Sequence, residues 1–382
     1  MEKTVIYLDH NATTPVLPEV REVMIEAMKE FWGNPSSLHS PGRKAFARLE
    51  NARARLAGLI GASPKEVFFT SGGTESDNLA IIGFMERFPG GELVISAVEH
   101  PAVHDAAQYL AGKGYTVKHI PVDEYGVIQM DKLEESLNDK IKLVSIIYAN
   151  NEIGTIQPIE EIGEMLVKRK IPFHSDAVQA FGKIPLNVGK GHLSFMSVSS
   201  HKIYGPKGCG ALYVREGLKI SARTFGGNQE RHIRTGTENL PAIIGFVKAA
   251  EIACNSLDTD AKYLFDLTET MYKEICARID NVIRNGHPQN RIPGTLNLCF
   301  PGAETESVLA SLDQDGVCVS GGAACSSGSI NASRTLLAIG RRKTDAICAI
   351  RFSLGRENTK RDVLAAVNDL EKAVKRIRAI NK

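Results

Sequence analysis

The stretch from Phe195 to Val214 reads FMSVSSHKIYGPKGCGALYV. Its apolar lead-in is compatible with a buried strand. Pro206 and the glycines around it mark a tight loop before a second apolar run, Ala211 to Val214. Lys202 stands at the mouth of the first run. A lysine held there is partly desolvated, which lowers its pKa and makes the amine a nucleophile of the kind that forms Schiff bases. Taken alone, the stretch favours an ordinary surface lysine. The rest of the chain has to decide.

Upstream, apolar runs alternate with helical patterns. Strands are expected at Glu66–Thr70, Leu93–Ser96, Thr116–Pro121, Lys142–Tyr148 and Ile171–His174. Helices are expected at Pro18–Phe31, Arg43–Leu59, Thr74–Phe88 and Ile159–Lys170, with a short one at Leu133–Leu137. This alternation predicts an α/β fold with a large, mainly parallel sheet flanked by helices. Ligands of such sheets lie beyond the carboxyl ends of the strands. Thr74, His100, Asn151, Asp176, Gln179 and Lys202 all fall at or just after expected strand ends, and six polar residues so placed make a candidate site. Asn34, Ser36 and His39, in the turn-rich GNPSSLHSPG, are weaker candidates. From about Leu257 the pattern changes. A long helix to Ile279, strands near Thr295–Phe300, Val317–Ser320 and Ala349–Ser353, and a closing helix Thr359–Ile380 suggest a smaller α+β domain. The expected division is a large domain over 16–256 and a small one formed by 1–15 and 257–382, with a mobile loop at about 321–333.

Composition narrows the function classes. A formal net charge of +2, with 24% charged and 43% hydrophobic residues, describes an ordinary globular chain. It points to no direct nucleic-acid partner and no membrane. The opening MEKTVIYLDHNATTP lacks the apolar core of a signal peptide, and no apolar run approaches a membrane span. A cytoplasmic location is expected. The seven cysteines are odd in number, scattered, and form no CxxC pair, so neither a structural zinc site nor a disulfide framework is expected.

Between Glu66–Thr70 and Thr74–Phe88 lies SGG. A strand, a glycine turn and a helix N-terminus make an anion site, because free N–H groups and the helix dipole point to one place. No Lys-Ser/Thr follows the glycines, so it is not a Walker A loop, and a plain tight turn is an equal reading in isolation. Asp176 and Lys202 could form a structural ion pair. They could equally grip the two ends of pyridoxal phosphate, with Asp on the pyridinium nitrogen and Lys on the aldehyde carbon. The second reading also uses SGGT for the phosphate, His100 to stack on the ring and Gln179 for the ring hydroxyl.

LDHNATTP, TSGGTESDN, EHPAV, NNEIG, DAVQ, SSHKIYGPKG, RTGTEN, the Cys325 loop SGGAACSSGSINAS and RFSLGR are similar, in this order, to the motifs of NifS/IscS-type cysteine desulfurases. These belong to the class V aminotransferase group, within fold type I of the pyridoxal-phosphate enzymes. The resemblance runs from Tyr7 to about Arg356. It implies that Lys202 holds the cofactor and moves the substrate Cα proton, and that Asp176 keeps the ring nitrogen protonated. It assigns the ring hydroxyl to Gln179, and stacking with proton shuttling at the substrate thiol to His100. Gly73, Thr74, Ser199 and His201 would bind the phosphate, with Thr237 reaching in from the partner subunit of a homodimer. Asn151 would touch cofactor and substrate, Arg351 would pair with the substrate carboxylate, and Asn34 would join the substrate site. Cys325 would be the nucleophile that takes sulfur from L-cysteine as a persulfide, leaving L-alanine. The sulfur would then pass to an acceptor, such as an IscU-like scaffold or a thiolation protein, for iron–sulfur cluster assembly or tRNA thiolation. Cys325 could also serve as a transient iron–sulfur ligand shared with such a scaffold. A selenocysteine lyase and a plain class V aminotransferase are the alternatives. Cys325 speaks against the second, since transamination needs no thiol.

Overall fold

Phe195–Ser199 is a strand, and Gly210–Val214 returns antiparallel beside it. This is seen in a computed structural model that describes residues 5–321 and 332–380. The two strands lie in a seven-stranded sheet of order Val67–Thr70, Gly210–Val214, Phe195–Ser199, Phe173–Asp176, Ile141–Ser145, Glu92–Ser96 and Thr116–Ile120. Gly210–Val214 runs against both its neighbours. The remaining pairs are parallel, so the sheet is mainly parallel, as expected. VFFT, FMSVS and GALYV are buried at every position, the mark of strands covered on both faces. Phe68, Leu212 and Phe195 pack to one side with the helices Gly73–Met85 and Pro101–Gly112. Val67, Phe69, Val198 and Tyr213 pack to the other with Ser40–Ile60, Ile159–Lys168 and Leu240–Asn255.

Several elements differ from expectation; the strand read at Val317–Ser320, for one, is two short strands in different sheets, Val317–Cys318 and Ser320–Gly321. The strand read at Ile171–His174 is Phe173–Asp176, displaced because the chain leaves the preceding helix through Lys170 in a left-handed conformation (φ 58°). Asp176 therefore ends the strand rather than following it. Leu240–Asn255, LPAIIGFVKAAEIACN, has no counterpart in the sequence reading. It is buried on most of its circumference against Pro18–Glu30 and Ser40–Ile60, so it carries no amphipathic stripe to detect.

The second sheet is antiparallel, in the order Ser320–Gly321, Ala349–Ser353, Thr295–Cys299 and Ile283–Asn285. Helices Leu257–Arg278, Thr305–Gln314 and Lys360–Ile380 cover it around Met271, Leu298, Phe352 and Leu370, a core separate from those of the large sheet. Lys360–Ile380 buries Val363, Val367, Leu370, Val374 and Ile377, one helical face. Each such side chain contributes roughly 1.5–3 kcal/mol. Ile6–Tyr7 pairs in parallel with Val317–Cys318, and Leu8 enters the second core. The chain then crosses through Asp9–Thr14 to the large sheet, and this crossing becomes one wall of the site. No single described helix is long and apolar enough to span a membrane.

Candidate active site

Four parallel strands of the large sheet aim their carboxyl ends at one cavity of about 230 Å³. Phe173–Asp176 supplies Asp176, then Val178 and Gln179. Phe195–Ser199 supplies Ser199 and, through the turn Ser200–Lys202, His201 and Lys202. Glu92–Ser96 leads to His100, and Ile141–Ser145 to Ile147 and Asn151. Gly73, Thr74 and Asp77 come from the start of Gly73–Met85, and Asn11 and Ala12 from the N-terminal crossing. Arg351 comes from the second sheet.

Lys202 Nζ donates to the carbonyls of Asn11 (2.7 Å) and Ala12 (2.8 Å). Asp176 is buried, and the Val178 amide donates to its Oδ1 at 2.9 Å. Burial, reinforced by the Asp77 carboxylate, pushes the Asp176 carboxyl up to about 6, while burial pushes Asp77 up to about 7. Behind them His174, fully enclosed between Ser145 Oγ (2.8 Å) and Ser197 Oγ (3.1 Å), is held down to about 4 by burial. It stays neutral and gives the carboxyls no countercharge. A cationic ring nitrogen at Asp176 would pull both carboxyls back down.

His100 caps the helix Pro101–Gly112, its Nδ1 accepting from the Ala102 amide at 3.1 Å. That bond leaves the ring proton on Nε2. Burial lowers its pKa against the opposing pull of Asp176, so the ring is neutral at physiological pH. Gln179 Nε2 donates to the Asn11 carbonyl at 2.9 Å.

The opposite end of the cavity is built for an anion. Helix Gly73–Met85 begins at Gly72, whose φ of 155° and ψ of −176° only glycine holds without strain, and no side chain caps it. Its first N–H groups therefore face the cavity unpaired within the helix. Gly210 lets the neighbouring strand come so close that an added Cβ would sit 2.7 Å from Gly72 Cα. Ser199 Oγ is buried beside this turn and has no hydrogen-bond partner among the described residues. His201 Nδ1 lies 3.1 Å from Thr13 Oγ1. Burial, with Lys202 and Lys207 nearby, holds its ring down to about 4.

Arg351 donates to the Asn151 carbonyl (3.1 Å) and to Asp9 Oδ1 (2.7 Å), and its buried Nε has no partner among the described residues. A guanidinium fixed this way offers a fork to a carboxylate.

A family model, Aminotransferase class-V, matches residues 6–365. The chain belongs to the aminotransferase class-V family. Among class-V relatives, the cysteine desulfurase IscS of Dictyoglomus turgidum is 43% identical over 381 residues, covering 99% of this chain and 97% of that protein. The cysteine desulfurase IscS of Methanosarcina thermophila is 42% identical over 379 residues, covering 99% and 94%. A solved structure of a NifS-like protein superposes with a TM-score of 0.89 at 35% identity, covering 99% of each chain.

Pyridoxal phosphate is the cofactor of class-V enzymes, and these residues fit it. The uncapped helix N-terminus and the orphaned Ser199 hydroxyl suit its phosphate, the raised Asp176 carboxyl suits its ring nitrogen, and the Lys202 amine suits its aldehyde.

Of the residues singled out in the sequence, Gly73, Thr74, His100, Asn151, Asp176, Gln179, Ser199, His201, Lys202 and Arg351 meet in this cavity. Asn34 and Thr237 do not line it. Asn34 is exposed and its Oδ1 accepts from the Ser36 amide, while Thr237 is exposed just ahead of Leu240–Asn255. His39 caps the helix Ser40–Ile60. Cys325, and nearly all of the loop around it, lies outside the described residues. Sequence reasoning missed Asn11, Ala12 and Asp77. Asp77 left a signal, an acidic residue two positions before the apolar run LAIIGFM. Asn11 and Ala12 act through backbone carbonyls, which residue type does not reveal.

Proposed function

We propose that this chain is a pyridoxal-phosphate-dependent cysteine desulfurase that converts L-cysteine to L-alanine and leaves the sulfur on Cys325 as a persulfide. The observation that carries the proposal is the meeting of Lys202, Asp176 and Arg351 at one cavity. It is supported by class-V relatives named cysteine desulfurase at 42–43% identity over nearly the whole chain.

When bound, the cofactor supplies an electron sink for charge developing at the substrate Cα. The chain does the rest. Gly73, Thr74, Ser199 and His201 would bind the cofactor phosphate, Asp176 and Gln179 would hold its ring nitrogen and hydroxyl, and His100 would stack on the ring. Arg351 fixes the substrate carboxylate, with Asn151 beside it, so that the Cα–H faces Lys202, which moves that proton. The Cys325 thiolate attacks the substrate sulfur, an S–S bond forms, and the C–S bonding pair returns to the carbon skeleton. Protons taken up there complete alanine. Neutral His100, with its proton on Nε2, is suited to exchange a proton at the substrate thiol.

Residues 16–256 act as the cofactor-binding domain and 1–15 with 257–382 as the small domain, in keeping with their separate cores. The enzyme works as a homodimer. Ile25, Met28 and Trp32 form an exposed apolar stripe on the helix Pro18–Glu30 and its end, which supports this, and exposed Thr237 is then available to the partner's phosphate site. A cytoplasmic location follows from the chemistry, because Cys325 must stay reduced between turnovers. The persulfide passes to an acceptor protein, an iron–sulfur scaffold or a thiolation protein.

The test is release of alanine and sulfide from L-cysteine by cofactor-loaded protein under reductant. Equal amounts of both support the proposal. A loaded cofactor that yields a keto acid instead would make the chain an aminotransferase. Cys325→Ser should retain the cofactor band and lose sulfide release, and native release by that variant would remove Cys325 from its role.

A further inference from the structure

A second, smaller cavity of about 40 Å³ lies behind Lys202, lined by His10, Asn11, Lys183, Tyr204 and Arg356 among others. Lys183 borders this rear cavity and not the cofactor cavity. Its Nζ donates to Gln179 Oε1 at 2.8 Å and to Asn11 Oδ1 at 3.0 Å. Both acceptors carry the contact forward. Gln179 Nε2 donates to the Asn11 carbonyl at 2.9 Å, and that carbonyl also receives Lys202 Nζ at 2.7 Å. One backbone oxygen thus joins the two cavity residues, and Lys183 grips the side chains on either side of it.

A carboxamide has two faces, an oxygen that accepts and an NH2 that donates. An ammonium can only donate, so Lys183 selects the orientation in which Gln179 Oε1 points backward. The flipped amide would set NH2 against NH3⁺ and lose the bond to the Asn11 carbonyl as well. Gln179 therefore offers the cavity its remaining N–H. We propose that Lys183 is a positioning residue for this reaction. It locks Gln179 as a donor to the cofactor ring oxygen and stiffens the Asn11 carbonyl that holds the Lys202 amine. The inference rests on the pyridoxal-phosphate reading above.

The charge of Lys183 adds to this geometry. Burial, with Lys202 and Arg351 facing it, holds its amine down to about 7. The imidazoles of His10 and His201 also feel its charge. Asp260, across the rear cavity, is engaged by Arg356 at 2.7 Å. Removing Lys183 would release the donor aimed at the ring oxygen and, below about pH 7, withdraw a positive charge. Both changes make the cofactor's titrating proton harder to lose.

The experiment is a pH titration of the visible absorption band of cofactor-loaded protein, wild type beside Lys183→Met and Lys183→Arg, with thermal midpoints as a check on folding. In Lys183→Met the band midpoint should rise by about one pH unit, the size expected when a hydrogen bond to a charged group is lost. Lys183→Arg, which keeps the donor and is charged throughout, should not raise the midpoint. If Lys183→Met does not fold, Lys183→Gln takes its place. On a Gln179→Leu background the same Lys183 substitution should add less shift than it does alone, because its relay is gone. A band midpoint in Lys183→Met indistinguishable from wild type overturns the inference and leaves the cofactor reading intact. Wild-type protein that takes up no cofactor overturns both.

Discussion

Glu99 is buried. Its Oε1 accepts from Ser96 Oγ (2.6 Å) and the Ile147 amide (2.7 Å), and Oε2 has no partner among the described residues. Burial, with Asp176 and Asp77 adding to it, pushes its carboxyl up to about 8. The folded chain therefore keeps a proton that the unfolded chain has released. This stabilisation is complete below an ordinary glutamate pKa of about 4.3 and is lost as pH rises through the folded value. His10 and His174, held down to about 4 by burial, act in the opposite sense. Their stabilisation is present above about pH 6.5 and is lost as pH falls. Above that pH Glu99 and Asp77 lower stability as pH rises, opposed by Lys183, whose amine is held down to about 7 and whose neutral folded form favours folding as pH rises. Between pH 6.5 and 8.5 the thermal midpoint of cofactor-free Glu99→Gln should rise relative to that of the native chain as pH increases, changing the slope. A slope unchanged in that variant would place its source elsewhere. Arg351→Lys replaces a planar fork with a point charge, so KM for L-cysteine should rise roughly tenfold or more with a smaller change in kcat. An unchanged KM would take Arg351 away from the carboxylate. Six of the site residues, Thr74, His100, Asn151, Asp176, Gln179 and Lys202, were legible because a polar side chain at the end of an apolar run stands out, whereas Gly73, Ser199, His201 and Arg351 came only through the motif resemblance. Lys183 was legible in neither way, since nothing in AFGKIP marks a lysine whose ammonium turns inward.

The start of helix Gly73–Met85 is where one element makes the end of the cavity proposed to hold the cofactor phosphate. Its N–H groups are usable because Gly72 turns sharply and the strand Gly210–Val214 passes close by. Gly210→Ala would press a Cβ into the Gly72 backbone, which has no flexible end to move aside. The turn must shift, and cofactor affinity, read by absorbance titration, should weaken about tenfold or more, given the steep cost of misplaced donors. Wild-type affinity in Gly210→Ala would mean that the turn does not carry the phosphate. The strand and helix on either side of this turn were readable from VFFT and the apolar run of the helix. Leu240–Asn255 was not, because a helix buried nearly all round has no period to read.

The proposed homodimer would complete the site. If Thr237 serves the partner's phosphate pocket, Lys202→Ala and Thr237→Ala subunits should complement each other. A mixed dimer then holds one site with both lesions and one with neither. Co-expressed mixed dimers should regain wild-type cofactor affinity and turnover at one site in two, whereas each homodimer stays defective. No recovery in the mixture would return Thr237 to a role within its own chain.

The sequence by itself determined the alternation of buried strands and amphipathic helices, and hence a mainly parallel sheet with its ligand end at His100, Asp176 and Lys202. Those features follow from hydrophobic periodicity and from polar residues closing apolar runs, which are local properties of the chain. Only the tertiary structure decided that Arg351, from a different sheet, meets them. It alone showed that the Asn11 carbonyl joins Lys202 to Gln179, and that Lys183 stands behind both. Those contacts span up to 191 positions. They depend on the crossing of Asp9–Thr14 between two cores, and on backbone groups whose chemistry is the same at every residue.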